Sequence, residues 1–244
     1  MLGYYTRDFR SANVVAAVDY LTLMCLNADL PGTLGTSQTS LCHEALRELV
    51  LETREFAQLL GDIRSDGTRI RGAIEQRLRL IRLADQEEFL MTVTVQAASV
   101  ADDNGRTTDA VLLYHLAEDY DNVIVIINRA LSEAIAVDIG QQQLRLQPLK
   151  PRTPAPQGQM QQQQQQPDGS SLSLTSVDDP AVLARNMISL YNANALYYRK
   201  IRPANRDACG VLLRMSEVKS EVEAGQWTEA LDVSALPHIP LLPY

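Results

Sequence analysis

At 244 residues with 45% hydrophobic side chains, the chain is long enough to bury one sizeable core or a short stack of helix pairs. Its formal charge of −8 argues against a nucleic-acid backbone as the main partner, because such binding draws its affinity from clustered Lys and Arg; a protein partner is expected instead. Cys25, Cys42 and Cys209 are odd in number and far apart, which fits reduced thiols packed as small apolar residues in cytosol or nucleus better than a disulfide framework.

Tyr4, Tyr5 and Phe9 stand near the start with no capping signal before them, which reads as the C-terminal part of a longer chain. Arg7 and Arg10 precede an apolar run from Val14 to Leu26, but Asp19 splits it and no small-residue cleavage site follows, so neither a signal peptide nor a membrane span is expected. The run predicts a core helix capped by Ser11, with Val14, Val18, Leu21 and Cys25 inward and Pro31-Gly32 as its stop. Thr39 or Ser40 then caps a long helix reaching Gly61. Leu41, Ala45 and Leu49 share one side of it with Leu46, Val50 and Leu60 close by, while Glu44, Arg47, Glu48, Glu52 and Glu55 face solvent. Asp62, Asp66 and Gly67 give the next segment the look of a calcium loop, yet Arg64 and Ala73 stand where ligands would be needed. It predicts a glycine-assisted turn between antiparallel helices.

A helix is predicted over 72–83, with Ile74, Leu78 and Ile81 inward. Arg69, Arg71, Arg77, Arg79 and Arg82 form a basic region there, which reads as a solvated face bonded to acidic helices rather than a receptor for an acidic or phosphorylated peptide. Asp85 and Glu88 make a capping box ahead of Phe89, Val93, Ala97 and Val100; the β-branched TVTV run would suit a strand but has no candidate to pair with. Thr107-Thr108-Asp109 starts a short helix carrying Ala110, Leu113, Tyr114 and Ala117. Asp119 to Asn122 interrupts it, and Val123, Ile127, Ala130, Leu131, Ala134 and Ile135 resume the period, with Ile124 and Ile126 widening the apolar face. A pair that cannot bury itself implies stacking.

Residues 141–176 are rich in Gln, Pro and Ser and predict a disordered tether between helical segments 1–140 and 177–244. Asp179-Pro180 restarts order, with Leu183, Met187, Leu190, Tyr191 and Tyr198 on one face. Pro203 opens the next helix, where Ala208, Val211, Leu212, Met215 and Val222 repeat the helical period until Gly225, and Trp227 begins a last short one. The tail ALPHIPLLPY is too rich in proline for helix and is expected to lie against the last helices or to serve as a recognition peptide. The pattern as a whole predicts an all-α fold of about nine helices, stacked as antiparallel pairs in an irregular α-solenoid, since no strict repeat period can be traced.

No catalytic, cofactor or metal motif emerges. His43, His115 and His238 belong to no zinc signature, and Cys42-His43 are neighbours on a helix whose side chains diverge by about 100°. The pairs Asp102-Asp103 and Asp178-Asp179 sit at helix ends, where capping accounts for them.

ALRELVLETREFAQLLGDIRSDGTRIRG, with the later helix pair DAVLLYHLAEDYDNVIVIINRAL, resembles the C-terminal α-solenoid of the nucleoporin-interacting component family, most specifically from about Ala45 to Leu131. The glutamine-rich insertion suggests a fungal type. The resemblance implies a non-catalytic scaffold subunit of the nuclear pore inner ring at the nuclear envelope, binding other nucleoporins in support of transport. It covers only the C-terminal solenoid, so the anchoring of central-channel nucleoporins is not carried over. A linear segment of the small membrane-associated nucleoporin with an RNA-recognition-like domain is an implied ligand. Grooves between stacked helices suit such segments, and Tyr197, Tyr198, Arg199 and Lys200, aromatics beside cations, are the candidate contact residues. A generic helical-repeat adaptor of a lid or coat assembly is the alternative, and localisation separates the two.

Overall fold

The computed structural model describes residues 13–29, 33–63, 68–141, 143–147 and 177–235. They divide into two compact units, 13–100 and 101–147 with 177–235.

In the first unit α1 (Val14–Thr22) tightens into a 3-10 turn at Leu23–Asn27. Its buried face is Val14, Val18, Leu21 and Cys25, as the spacing predicts. The predicted cap Ser11 and stop Pro31-Gly32 lie outside the described residues; Asn13 caps the helix, its side chain accepting from the Ala16 N–H at 3.0 Å. α2 (Thr33–Thr53) begins before the expected Thr39–Ser40 cap, and its inner face is Cys42, His43, Leu46, Leu49 and Val50, whereas Leu41 is exposed. The single helix expected to reach Gly61 is broken, because Arg54 takes a left-handed φ of 56° and a short α3 (Phe56–Leu59) follows.

The expected turn between helices is instead a β-hairpin of β1 (Gly61–Ile63) and β2 (Arg69–Arg71), with Gly61 opposite Arg71 and Ile63 opposite Arg69. Nor do residues 72–83 form the predicted helix. They hold one 3-10 turn, Glu75–Arg77, in otherwise irregular backbone, with Ile74 and Ile81 buried and Leu78 half-buried. The reason is where the first N–H groups go: Ala73 and Ile74 donate to the Gln58 and Leu59 carbonyls at 2.8 and 3.0 Å, satisfying the end of α3 rather than starting a new helix. The arginine region is largely neutralised from within. Buried Glu75 takes Arg69 at 3.1 Å and Arg71 at 3.6 Å, and Arg77 and Arg82 pair with Asp19 and Asp29, each at 2.5 Å.

The Asp85 capping box forms as expected, the carboxylate accepting from the Glu88 N–H at 3.0 Å while Glu88 accepts from the Ala84 N–H at 2.6 Å. α4 (Gln86–Phe89) runs through a π turn at Leu90–Val95 into α5 (Gln96–Asp103). The ambiguous TVTV run is therefore helical, but widened to the π form.

The second unit is a succession of helix pairs. α6 (Thr107–Leu116) and α7 (Tyr120–Ala136) are antiparallel across a short turn that Glu118 enters at φ 60° and Asp119 caps. α8 (Pro180–Asn192) has the expected Asp179 cap and Pro180 at its first position. A break at Ala193–Asn194 then sets off α9 (Ala195–Arg199), and α10 (Pro203–Glu223) and α11 (Trp227–Ala235) close the order. Cross-links give directions: Asp121 at the start of α7 binds Arg202 and Asn205 at the start of α10, while Lys219 near the end of α10 donates to the Ala134 and Ile135 carbonyls at the end of α7. α7 and α10 are thus parallel, and α8, whose C-terminal Tyr191 packs with its ring tilted against Tyr120 and whose Arg185 reaches Glu217, runs antiparallel to both. Alternation of this kind is what stacked helix pairs require. The proline-rich tail, from 236 onward, lies outside the described residues.

The tether predicted for 141–176 lies from 148 onward outside the described residues as well. Its start does not: the Leu146 N–H donates to the Asp178 carbonyl at 2.7 Å, Arg145 pairs with Asp178 at 3.1 Å, and the Thr108 hydroxyl donates to the Gln147 carbonyl at 2.6 Å. The chain therefore leaves and returns at one point. Replacing 149–175 by a few glycines and serines is expected to shift the melting temperature by no more than about 2 °C, since loop-closure entropy varies slowly with length. A larger loss in a calorimetric scan would show that the insertion packs on the helices.

Candidate functional site

The predicted contact residues are not all at the surface. Tyr197 is buried, at 8% exposure, in a cluster with His115, Tyr120 and Tyr191, whose rings lie 4.6 Å (Tyr120) to 6.3 Å (His115) from its own. α9 exists to place it there: the Asn194 side chain caps the helix through the Leu196 N–H at 3.0 Å, and the turn directs Tyr197 inward. Tyr191 is fully buried, its hydroxyl 3.1 Å from His115 Nδ1, and burial pushes that phenol well above its usual range, with Tyr120 and Tyr197 adding to the effect. Tyr198 is half-buried under the Arg206 guanidinium, 3.8 Å above its ring. Arg199 is exposed. Lys200 is exposed as well but engaged, pairing with Glu118 at 3.0 Å over the Tyr120 ring.

Burial also sets the thiol and carboxylate chemistry. Cys25, Cys42 and Cys209 are buried and not in disulfides, and desolvation pushes the Cys209 thiol up to about 12, so it stays protonated and inert. Partial burial works against charge on Asp121, yet hydrogen bonds from the Arg202 N–H, Asn205 and the Arg202 guanidinium prevail and hold its carboxyl below the usual range. It anchors α10 to α7 rather than serving as an acid or base. Among the described residues no group of His, Cys, Asp or Glu is placed to hold a metal ion, and no helix is long and apolar enough to cross a membrane.

Val211, Met215 and Val222 repeat the helical period on α10, and the structure leaves Val211 and Met215 exposed at 41% and 48% and Val222 half-buried. They line an open groove of about 780 Å³ together with Ile135, Val137 and Ile139 at the end of α7 and Val233 of α11. Lys219 also lines it, its ammonium held by the Ala134 and Ile135 carbonyls near the end of α7. The missed signal was the width of the apolar stripe on α10, which its neighbouring helices do not fully cover.

The Nic96 family model, described as Nup93/Nic96, matches residues 1–244. The chain belongs to the Nup93/Nic96 family. It is 58% identical over 99% of its length to nucleoporin NIC96 of Chaetomium thermophilum and 40% identical over 100% to nucleoporin NIC96 of Saccharomyces cerevisiae. The nuclear pore complex protein Nup93 of Danio rerio matches only 56% of it, at 32%, in keeping with the fungal type expected from the insertion. The crystal structure of Chaetomium thermophilum Nic96 SOL superposes with a TM-score of 0.76 at 57% identity, covering 96% of this chain and 32% of that one. The mostly helical fold of packed helix pairs, with one β-hairpin, is therefore shared with that solved relative. The chain spans about a quarter of the length of the NIC96 relatives, 22% and 25%.

Proposed function

We propose that this chain is a segment of a structural scaffold subunit of the nuclear pore complex inner ring, with no catalytic role, acting by holding other nucleoporins in place. Family membership carries the reading, and the open apolar groove supports it: helix-pair stacks bind short amphipathic segments between adjacent helices, and this groove is shaped for one. Its occupant, on this reading, is a linear segment of another nucleoporin, in the first place the small membrane-associated one. Tyr198, Arg199 and Lys200 form a second, smaller contact surface, with Tyr197 supporting it from beneath.

Calorimetry with such a segment tests the assignment. Met215→Asp with Val211→Asp places charge on the groove wall at exposed positions and is expected to weaken binding at least about tenfold, the effect of losing one buried aliphatic anchor. Tyr198→Ala with Arg199→Ala is expected to cost less. Full affinity in the groove variant would remove the groove from the interface, and no binding by the native chain would remove the partner.

A further inference from the structure

The first unit holds a polar hollow of about 390 Å³ between α2 and the π turn, lined by Thr36, Thr39, Ser40, His43 and Arg47 on one side and Thr92 and Gln96 on the other. On α2 these residues fall at i, i+3, i+4, i+7 and i+11, a single helical stripe, and it carries hydroxyls, an imidazole and a guanidinium with no carboxylate. The expectation that Arg47 faces solvent does not hold, for it is half-buried. Its Nη1 donates to the Thr92 carbonyl at 3.0 Å, within the π turn. No carboxylate of the described residues comes within ion-pair distance of Arg47, not even Glu44 or Glu48 on its own helix.

Arg69, Arg71, Arg77 and Arg82 of the same unit all have carboxylate partners, whereas the half-buried Arg47 guanidinium has only a backbone carbonyl. The donors around it are also unspent. The Ser40 hydroxyl and the Gln96 amide make no hydrogen bond among the described residues, and the bond to Thr92 leaves the other guanidinium N–H groups available. His43 Nε2 donates to the Ile81 carbonyl at 2.7 Å, which leaves Nδ1 as the ring's remaining polar atom. Thr36 and Thr39 spend their hydroxyl hydrogens on the Thr33 and Gly35 carbonyls, each at 3.1 Å, and so shape the wall rather than grip a ligand.

From this we infer that the hollow between α2 and the π turn is an oxyanion site, and that it takes the phosphoryl group of a phosphorylated serine or threonine side chain. Arg47, held in place by Thr92, supplies the charge and the planar donor fork; Ser40 and Gln96 supply neutral donors. A single cation matches a single phosphoryl group and falls short of what a polyphosphate, a nucleic-acid backbone or an anionic membrane needs. The inference does not depend on the groove of the second unit.

Titration of the chain with O-phospho-L-serine, followed by proton–nitrogen correlation spectra of the Arg47 side chain and the α2 amides, is the test. Saturable shifts at Arg47, several-fold weaker with inorganic phosphate and absent with serine, are expected, with loss of binding of at least about tenfold in Arg47→Gln. Ser40→Glu, which sets a carboxylate at an exposed position on the rim without touching the core, is expected to abolish the shifts and serves should Arg47→Gln perturb folding. Absence of shifts at Arg47 in the native chain, or persistence of the α2 amide shifts in both variants, overturns the site. Equal affinity for inorganic phosphate overturns the phosphorylated side chain as ligand, as does Arg47-dependent sedimentation with phosphoinositide vesicles in the absence of phosphoserine binding.

Discussion

Gly61→Ala is expected to destabilise the first unit by about 3 kcal/mol or more, combining backbone strain with overpacking. Gly61 sits at φ +100°, a conformation that L side chains rarely adopt, and a Cβ there would stand 2.0 Å from the Ile70 carbonyl oxygen and 2.9 Å from the Gly72 nitrogen. All of these are backbone atoms in the closing rung of the hairpin, so no side-chain rotation relieves the clash. Gly72 faces the same constraint from the other strand, where a Cβ would meet the Gly61 nitrogen at 2.3 Å and the Leu59 carbonyl oxygen at 2.4 Å. The two glycines let the ends of the hairpin touch while Ala73 and Ile74 finish the hydrogen bonding of α3. Urea unfolding of Gly61→Ala and Gly72→Ala, followed by circular dichroism, should therefore show a lower midpoint. A loss below about 1 kcal/mol would mean that the backbone does not pass as closely as described.

Tyr191→Ala should have an effect of similar size on the second unit, about 3–5 kcal/mol, the range for deleting a buried aromatic. Tyr191 is 1% exposed and touches His115, Tyr120 and Tyr197 at ring separations of 5.8, 5.1 and 6.1 Å, joining α6, α7, α8 and α9 in one contact. Its removal empties the point where those helices meet. Tyr191→Phe keeps the ring and deletes only the hydroxyl bonded to His115, so a loss of about 1 kcal/mol is expected. Near-ultraviolet circular dichroism alongside the denaturation curve separates the two: the tyrosine signal should collapse in Tyr191→Ala and persist in Tyr191→Phe. Equal losses in both variants would assign the stabilisation to the hydrogen bond rather than to ring packing.

The helical second unit was the more legible. Asp119, Asp179 and Asn194 are local caps whose oxygens reach N–H groups two or three residues on, and the apolar spacing of Val123, Ile127, Ala130 and Leu131 needs no knowledge of a partner to define a face. Residues 61–83 read worse. Apolar Ile74, Leu78 and Ile81 at helical spacing look like a helix, but Ala73 and Ile74 spend their N–H groups on α3, a choice made by backbone approach between segments. Of the candidate site residues, Tyr197 and Tyr198 point apart, as consecutive helical positions must. Which tyrosine went inward depended on the break at Ala193–Asn194, and Asn194 as a cap was the overlooked signal.

By itself the sequence determined the helical class, the helix starts marked by local caps such as Asp85, Asp119 and Asp179, and, through ALRELVLETREFAQLL and its companions, the family. These follow from interactions a few residues long or from residue identity. Only the tertiary structure decided that α10 would leave Val211 and Met215 uncovered, that Arg47 would lie without a carboxylate, and that four arginines would find theirs in Asp19, Asp29 and Glu75. A residue's periodicity says that a face exists. Whether a neighbour covers that face, or a charge meets its counter-charge, depends on segments tens of residues away that the local pattern does not encode.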